Sequence, residues 1–127
     1  MLVIFHLLFG LALSLALFPL YGWQVSIIFL ANLLMDADHY AYYVLKFRSF
    51  NLLKARRYFI ERTKPTLLPF HTVEFIIPVL LLSFCYPFFF FVTVGIAAHL
   101  LLDFTDEFKE RYIGRFPSIV WYFLRKH

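Results

Sequence analysis

Long stretches of this chain contain no basic residue. No Lys or Arg precedes Lys46, and none occurs between Pro65 and Phe108; all twelve fall in two blocks, Lys46 to Lys64 and Lys109 to Lys126. Blocks of this kind beside apolar runs follow the positive-inside pattern of cytoplasmic segments. The formal charge of +4 is therefore not read as a nucleic-acid footprint, and no nucleic-acid partner is expected. Cysteine is reduced to Cys85, which excludes an internal disulfide and any Cys-rich zinc module. A His-Glu-x-x-His helix, the usual zinc signature of a metalloprotease, is also missing.

What is abundant is apolar. Hydrophobic residues make up 62% of the 127, Phe alone contributes 18, and the mean hydropathy is +0.76. Soluble domains are roughly half apolar, and one this small cannot bury so much. One membrane-embedded domain over 1–127 is expected, all-α and integral to the inner or cell membrane.

Four apolar runs give helices at about 2–18, 23–39, 71–86 and 88–107, with a basic loop at 46–64 and a basic tail at 108–127. Pro19 ends the first run before a turn at Leu20-Tyr21-Gly22, and Pro87 separates the last two. The runs lie near or below the roughly 17 residues that cross a bilayer. Residues 1–18 lack a basic n-region and are read as the first helix rather than a signal peptide. The patch Ile119 to Leu124 is too short to span and is expected at the interface. The sequence thus predicts an up-down-up-down four-helix bundle, with Tyr21, Trp23 and Tyr86 as an outer aromatic belt.

Ionisable groups in such segments are expensive, so they mark function by default. They are His6 near the start of helix one, Asp36, Asp38 and His39 at the end of helix two, His71 and Glu74 opening helix three, and His99 and Asp103 near the end of helix four. In alternating topology all four ends share one membrane face. His with Asp or Glu suits zinc and related divalent metals, and His99 and Asp103, at i and i+4, project from one side of a helix. The pairs His99 and Asp103, and His71 and Glu74, are each better explained alone by a hydrogen bond at a helix end; Asp36, Asp38 and His39 are a stronger signal, and the convergence of all four groups favours a metal site. Asp106, Glu107 and Glu110 read as a solvated helix end, and Tyr40, Tyr42 and Tyr43 as interfacial anchors. Arg56 and Arg57 read first as topology determinants; together with Tyr40 they are weaker candidates for holding a substrate phosphate.

Read together, His-Leu-Leu-Phe at 6–9, Asp-Ala-Asp-His at 36–39, His-Thr at 71–72 and His-Leu-Leu-Leu-Asp at 99–103 resemble the YdjM-like family of small inner-membrane proteins classed as metal-dependent hydrolases. That family is distantly similar to the zinc-dependent phospholipase C and single-strand nuclease superfamily. The resemblance implies His71, His99 and Asp103 as ligands of one zinc, Asp103 as a bridge to a second, and His6 among the ligands of that second ion. It implies one aspartate of Asp36 and Asp38 as the acid that orients the attacking water. Met35 stands where the family has proline, the Arg that often precedes the family's Thr-His-Ser run is missing, and ligands for a third zinc have no clear equivalent. Two zinc ions are expected, with manganese or iron as alternatives and Glu74 as a replacement ligand. The expected function is a membrane hydrolase of a lipid or lipid-linked phosphate, opening to the cytoplasm; the alternative is a non-catalytic divalent-metal-binding membrane protein acting as sensor, carrier or complex subunit. A transporter would need a polar path through the outer half, where only Ser14, Gln24, Ser26 and Ser83 are available.

The charge pattern fixes an orientation that labelling can check. With Cys85→Ser as background, Ser49→Cys should resist a membrane-impermeant thiol reagent in intact cells and react once the membrane is opened. Labelling in intact cells would place the loop, both termini and the site outside.

Overall fold

Gly22 adopts a left-handed backbone with φ of +58°, a conformation that costs glycine little and other residues more. Here the chain leaves its first helix and turns back. The computed structural model describes residues 3–61, 66–109 and 118–125, and the side chains of Val3, of 106–109 and of Arg125 lie outside that description. Among the described residues the regular structure is helical throughout: α1 (Val3–Tyr21), α2 (Ser26–Met35), α3 (Ala37–Phe47), α4 (Leu52–Glu61), α5 (Val73–Ser83), α6 (Pro87–Lys109) and α7 (Ile119–Arg125), with 3-10 turns at Gly22–Val25 and Pro69–His71.

The helix boundaries differ from the sequence expectation in informative ways. Helix α1 runs past Pro19 to Tyr21, because a proline near a helix end removes one bond without forcing a stop, and Gly22 supplies the turn. The expected second helix is broken at Asp36 and resumes as α3 as far as Phe47. The basic segment 46–64 is not all loop. It contains α4, whose Tyr58 and Phe59 pack their rings against Tyr42, Tyr43 and Phe47 of α3. His71 precedes its helix, in the turn Pro69–His71, and α5 begins only at Val73.

Helix α6 packs against α1, α2 and α5, and α1 packs against α2. Small residues allow the closest of these approaches, as they do between helices in lipid. A Cβ on Gly95 would stand 2.5 Å from the Ile28 carbonyl oxygen and 2.8 Å from the Ala31 Cβ, while one on Gly10 would meet the Asn32 amide at 2.3 Å. Two apolar clusters fill the spaces between helices, one around Val25, Ile28 and Phe91 and the other around Met35, Val79 and Ile96.

Two stretches, Ile4–Phe47 and Pro87–Thr105, are long and apolar enough to cross a membrane. Only 17% and 28% of their most apolar parts are buried in the protein, whereas the core helix of a soluble domain is mostly covered. Leu15, Leu20 and Trp23 turn their side chains outward, as do Leu81, Phe84 and Phe88. Ile4–Phe47 is not one rod, since α1 folds back on α2 at Gly22. Helix α5, with 11 residues, is about 16 Å long, short of the roughly 30 Å hydrocarbon core. The hydroxyls of Ser14, Ser26 and Ser83 all donate to backbone carbonyls, those of Val25, Trp23 and Leu80, so these polar groups are satisfied locally.

The α2–α6 contact should be intolerant of a single methyl group. Gly95→Ala gains helix propensity of about 1 kcal/mol but meets backbone, and overpacking of this kind costs about 1–3 kcal/mol. The expected outcome is a lower melting temperature in detergent; an unchanged or raised one would mean that α2 and α6 part easily.

Candidate metal centre

Asn32 is a polar residue inside the apolar run of α2, and it is completely buried. Its side-chain amide donates to the His6 carbonyl oxygen at 2.5 Å, tying α1 to α2. Its own carbonyl has a second use. At the break between α2 and α3 the Asp36 amide donates to Leu33 O, one residue short of the regular α-helical partner. The Asn32 carbonyl, left without that bond, accepts His99 Nδ1 at 2.9 Å. A carbonyl only accepts, so His99 carries its proton on Nδ1 and points the Nε2 lone pair inward.

The same logic applies to His71. Its Nδ1 lies 3.0 Å from Asp38 Oδ2, and that oxygen also accepts the Phe70 amide at 3.1 Å. With Nδ1–H directed at a carboxylate, the His71 Nε2 lone pair faces His99. The two Nε2 atoms are 3.2 Å apart, and Asp103 Oδ2 lies 3.3 Å from His99 Nε2 and 3.6 Å from His71 Nε2. Both histidines have their outer nitrogens tied to a carbonyl or a carboxylate, the arrangement that orients metal-ligating imidazoles. Three acceptors converging in a buried space need a positive charge between them, either a shared proton or a cation. Ligand atoms about 2.05 Å from a tetrahedral zinc stand about 3.3 Å apart, and the three separations lie within 0.3 Å of that spacing. The donor set fits a divalent metal.

Asp103 presents a different oxygen to the third histidine. Its Oδ1 is 3.3 Å from His6 Nε2, while His6 Nδ1 lies 2.9 Å from Asp36 Oδ2. The His6 ring lies against that of His99, with centroids 4.1 Å apart. The other Asp36 oxygen is 3.6 Å from His39 Nδ1 and 3.8 Å from His99 Nε2. His39 Nδ1 also approaches Asp38 Oδ1 at 3.0 Å. Three overlapping triads result: His6, Asp36 and His99; Asp38, His39 and His71; and His71, His99 and Asp103.

Seven of the eight expected ligands are therefore brought together: His6, Asp36, Asp38, His39, His71, His99 and Asp103. Burial is graded. The side chains of His6, His71 and His99 are at most 2% exposed, whereas those of Asp36, Asp103 and His39 reach 15%, 12% and 22%. His39 is the most exposed of them, and its ring packs edge-on against Phe59 of α4.

Glu74 stands outside the three triads. Its Oε1 accepts the Ser118 hydroxyl and the Val120 amide, and Ser118 Oγ in turn accepts the Trp121 amide, so Glu74 caps the N-terminus of α7 and ties it to α5. The Tyr40 hydroxyl donates to the Phe50 carbonyl at 2.9 Å. Arg56 and Arg57 lie exposed on α4, Arg57 beside Glu61 at 3.5 Å. Neither arginine takes part in the triads. Asn32 was not anticipated from the sequence. Its signal was a lone amide in Ile-Ile-Phe-Leu-Ala-Asn-Leu-Leu-Met, four residues before Asp36.

Compared with family models, curated proteins and solved structures, the chain matches none of them. The case for the site therefore rests on its geometry.

Glu74→Gln separates a cap from a ligand. Metal content should be unchanged, because Glu74 touches α7 and no member of the triads. The Val120 amide should lose protection against hydrogen exchange by about fivefold, as expected when a cap costing about 1 kcal/mol is weakened. A fall in bound metal with Val120 unaffected would return Glu74 to the ligand set.

Proposed function

We propose that the protein is a multi-pass membrane hydrolase, an up-down-up-down four-helix bundle that uses two divalent ions, zinc foremost, to cleave a phosphoester on a lipid or lipid-linked substrate. The observation that carries this reading is the meeting of His71 Nε2, His99 Nε2 and Asp103 Oδ2 at 3.2, 3.3 and 3.6 Å, with both histidine tautomers set from behind. His71, His99 and Asp103 would hold one ion. Asp103, through its other oxygen, and His6 would be among the residues that hold the second. The resemblance to the YdjM-like proteins assigned the same division of ligands from sequence motifs, and the geometry supports it independently.

Bound in this way, divalent metal supplies positive charge that acidifies a water and offsets the charge that develops on phosphate oxygens. The protein's own groups do the rest. Asp38 orients His71 and keeps its Nε2 lone pair directed inward. Asp36, with one oxygen on His6 and the other facing His99 and His39, is the acid placed to hold and orient a water. Of the two aspartates proposed for that role, Asp36 has the freer oxygen and the greater exposure. Apolar helix surfaces around the site exclude bulk water, which strengthens each electrostatic contact. The basic segment that carries α4 supports a cytoplasmic site under the positive-inside rule, at headgroup level, where a lipid phosphate is the accessible ester.

One observation favours the non-catalytic reading. The three histidines are nearly inaccessible, and closed coordination is the mark of structural metal sites, whereas catalytic sites keep a position open. The partial exposure of Asp36, His39 and Asp103 is the feature that points back to catalysis.

Protein purified in detergent without chelator should carry about two divalent ions per chain and release phosphate or a phosphorylated headgroup in a screen of phospholipid and pyrophosphate substrates. Asp103→Asn should lose most of the metal and at least about 100-fold in turnover while remaining helical. Metal near zero in the unmodified protein would sink the site itself. Full metal without turnover on any substrate would leave the non-catalytic reading.

A further inference from the structure

Helix α4 has three faces, and the fold uses only one of them. Ala55, Tyr58 and Phe59 turn inward, Ala55 buried and the two rings packed on α3. Lys46 of α3 fastens this contact by donating to the Tyr58 hydroxyl at 3.0 Å, its ammonium 5.2 Å from the centre of the Tyr58 ring. A second face carries Lys54, Arg57 and Glu61, all exposed. The third is a row at i, i+3 and i+7, Leu53, Arg56 and Ile60, which share one side of a helix. Leu53 is 77% and Ile60 63% exposed. Phe50, just before the helix, is 78% exposed, and Leu45, just before Lys46, is 80%.

Two apolar stripes on one short helix exceed what packing on α3 requires. Helix α4 also begins five residues after the end of Ile4–Phe47, a stretch long and apolar enough to cross a membrane. A helix so close to that end lies within reach of the headgroup layer. The arginine among the exposed leucine and isoleucine has no acidic partner among the described residues, and Arg57 projects beside it. Arginine suits phosphate recognition, and its long stem lets the charge rise to the headgroups while neighbouring side chains lie deeper.

We propose that α4 is an interfacial helix that docks on anionic phospholipid, with Leu53 and Ile60 among the acyl chains and Arg56 on a lipid phosphate. This rests on the membrane reading given above but not on the metal or the chemistry. Docking has a consequence for access, because Phe59 packs against His39 with ring centres 4.8 Å apart. The helix that holds lipid headgroups is then also the wall beside His39, the most exposed histidine of the histidine–aspartate cluster.

The test uses the full chain with Cys85→Ser in nanodiscs of phosphatidylcholine alone or with phosphatidylglycerol. An environment-sensitive fluorophore is attached in turn at Leu15→Cys, Leu53→Cys, Lys54→Cys and Ile60→Cys, and is quenched by a nitroxide on the lipid acyl chain or by a water-soluble quencher. With phosphatidylglycerol, the labels at positions 53 and 60 should be quenched from the lipid, as at position 15, and the label at 54 from water. Arg56→Gln should weaken the preference of position 60 for phosphatidylglycerol over phosphatidylcholine by about fivefold, the effect of one interfacial basic residue. Labels at 53 and 60 open to water in both lipids, with position 15 quenched from the lipid, would overturn the docking while leaving the membrane reading intact. Water access at position 15 as well would overturn both. Equal lipid quenching in the two compositions, unaffected by Arg56→Gln, would overturn the role given to anionic lipid.

Discussion

The hydrogen bond from His99 Nδ1 to the Asn32 carbonyl is the constraint on which the polar end of this protein depends. It requires a carbonyl that helix α2 does not use, and the break at Asp36 leaves one available. It requires α6 to lie close enough to α2 for a histidine ring to reach that carbonyl, and Gly95, one turn before His99, permits the approach. Once the bond is made, the His99 tautomer follows, its Nε2 faces His71 and Asp103, and three acceptors share a space that a cation fits. Replacing the packing contact, the helix break or the histidine would each disturb the other two.

The Asp38 carboxylate plays the corresponding part for His71. It holds the ring through Nδ1 and the preceding backbone through the Phe70 amide, so that a turn outside any α-helix is anchored at both side chain and backbone. This matters because His71 lies in a short 3-10 turn, where the side chain would otherwise have many directions open to it. Carboxylates facing histidines from two sides make the cluster a network, and a network in a low-dielectric setting strengthens or fails as a unit. Exposure is graded across the network, closed at the three inner histidines and more open at Asp36, Asp103 and His39.

Much of the fold could be read from the sequence because a long apolar run has few options. Runs of Leu, Ile, Val and Phe with unsatisfied backbone groups must be helical in lipid, and a chain 62% hydrophobic announces them. The positions of His6, Asp36, Asp38, His39, His71, His99 and Asp103 at the helix ends follow from simple alternation of direction. Glu74 met the same criterion and still belongs elsewhere. The reason is local: at the start of α5 its carboxylate finds the free amides at the start of α7, and sequence spacing does not reveal a partner 46 residues away. Helix α4 was hidden by its basic residues, which gave the segment a loop-like composition, although its inward row of Ala55, Tyr58 and Phe59 has helical spacing.

The sequence by itself determined that the chain is helical and strongly apolar, and that its ionisable groups gather at the ends of its apolar runs. Those properties depend on composition and order, which no packing can change. Only the tertiary structure decided which nitrogen of each histidine faces inward, that Asp103 divides its two oxygens between His6 and the His71–His99 pair, and that Asn32 supplies the bond behind His99. These outcomes depend on distances of a few tenths of an ångström between helices. Such distances are set by two glycines, one helix break and the packing of α6 against its neighbours, and none of them is written in any single segment of the chain.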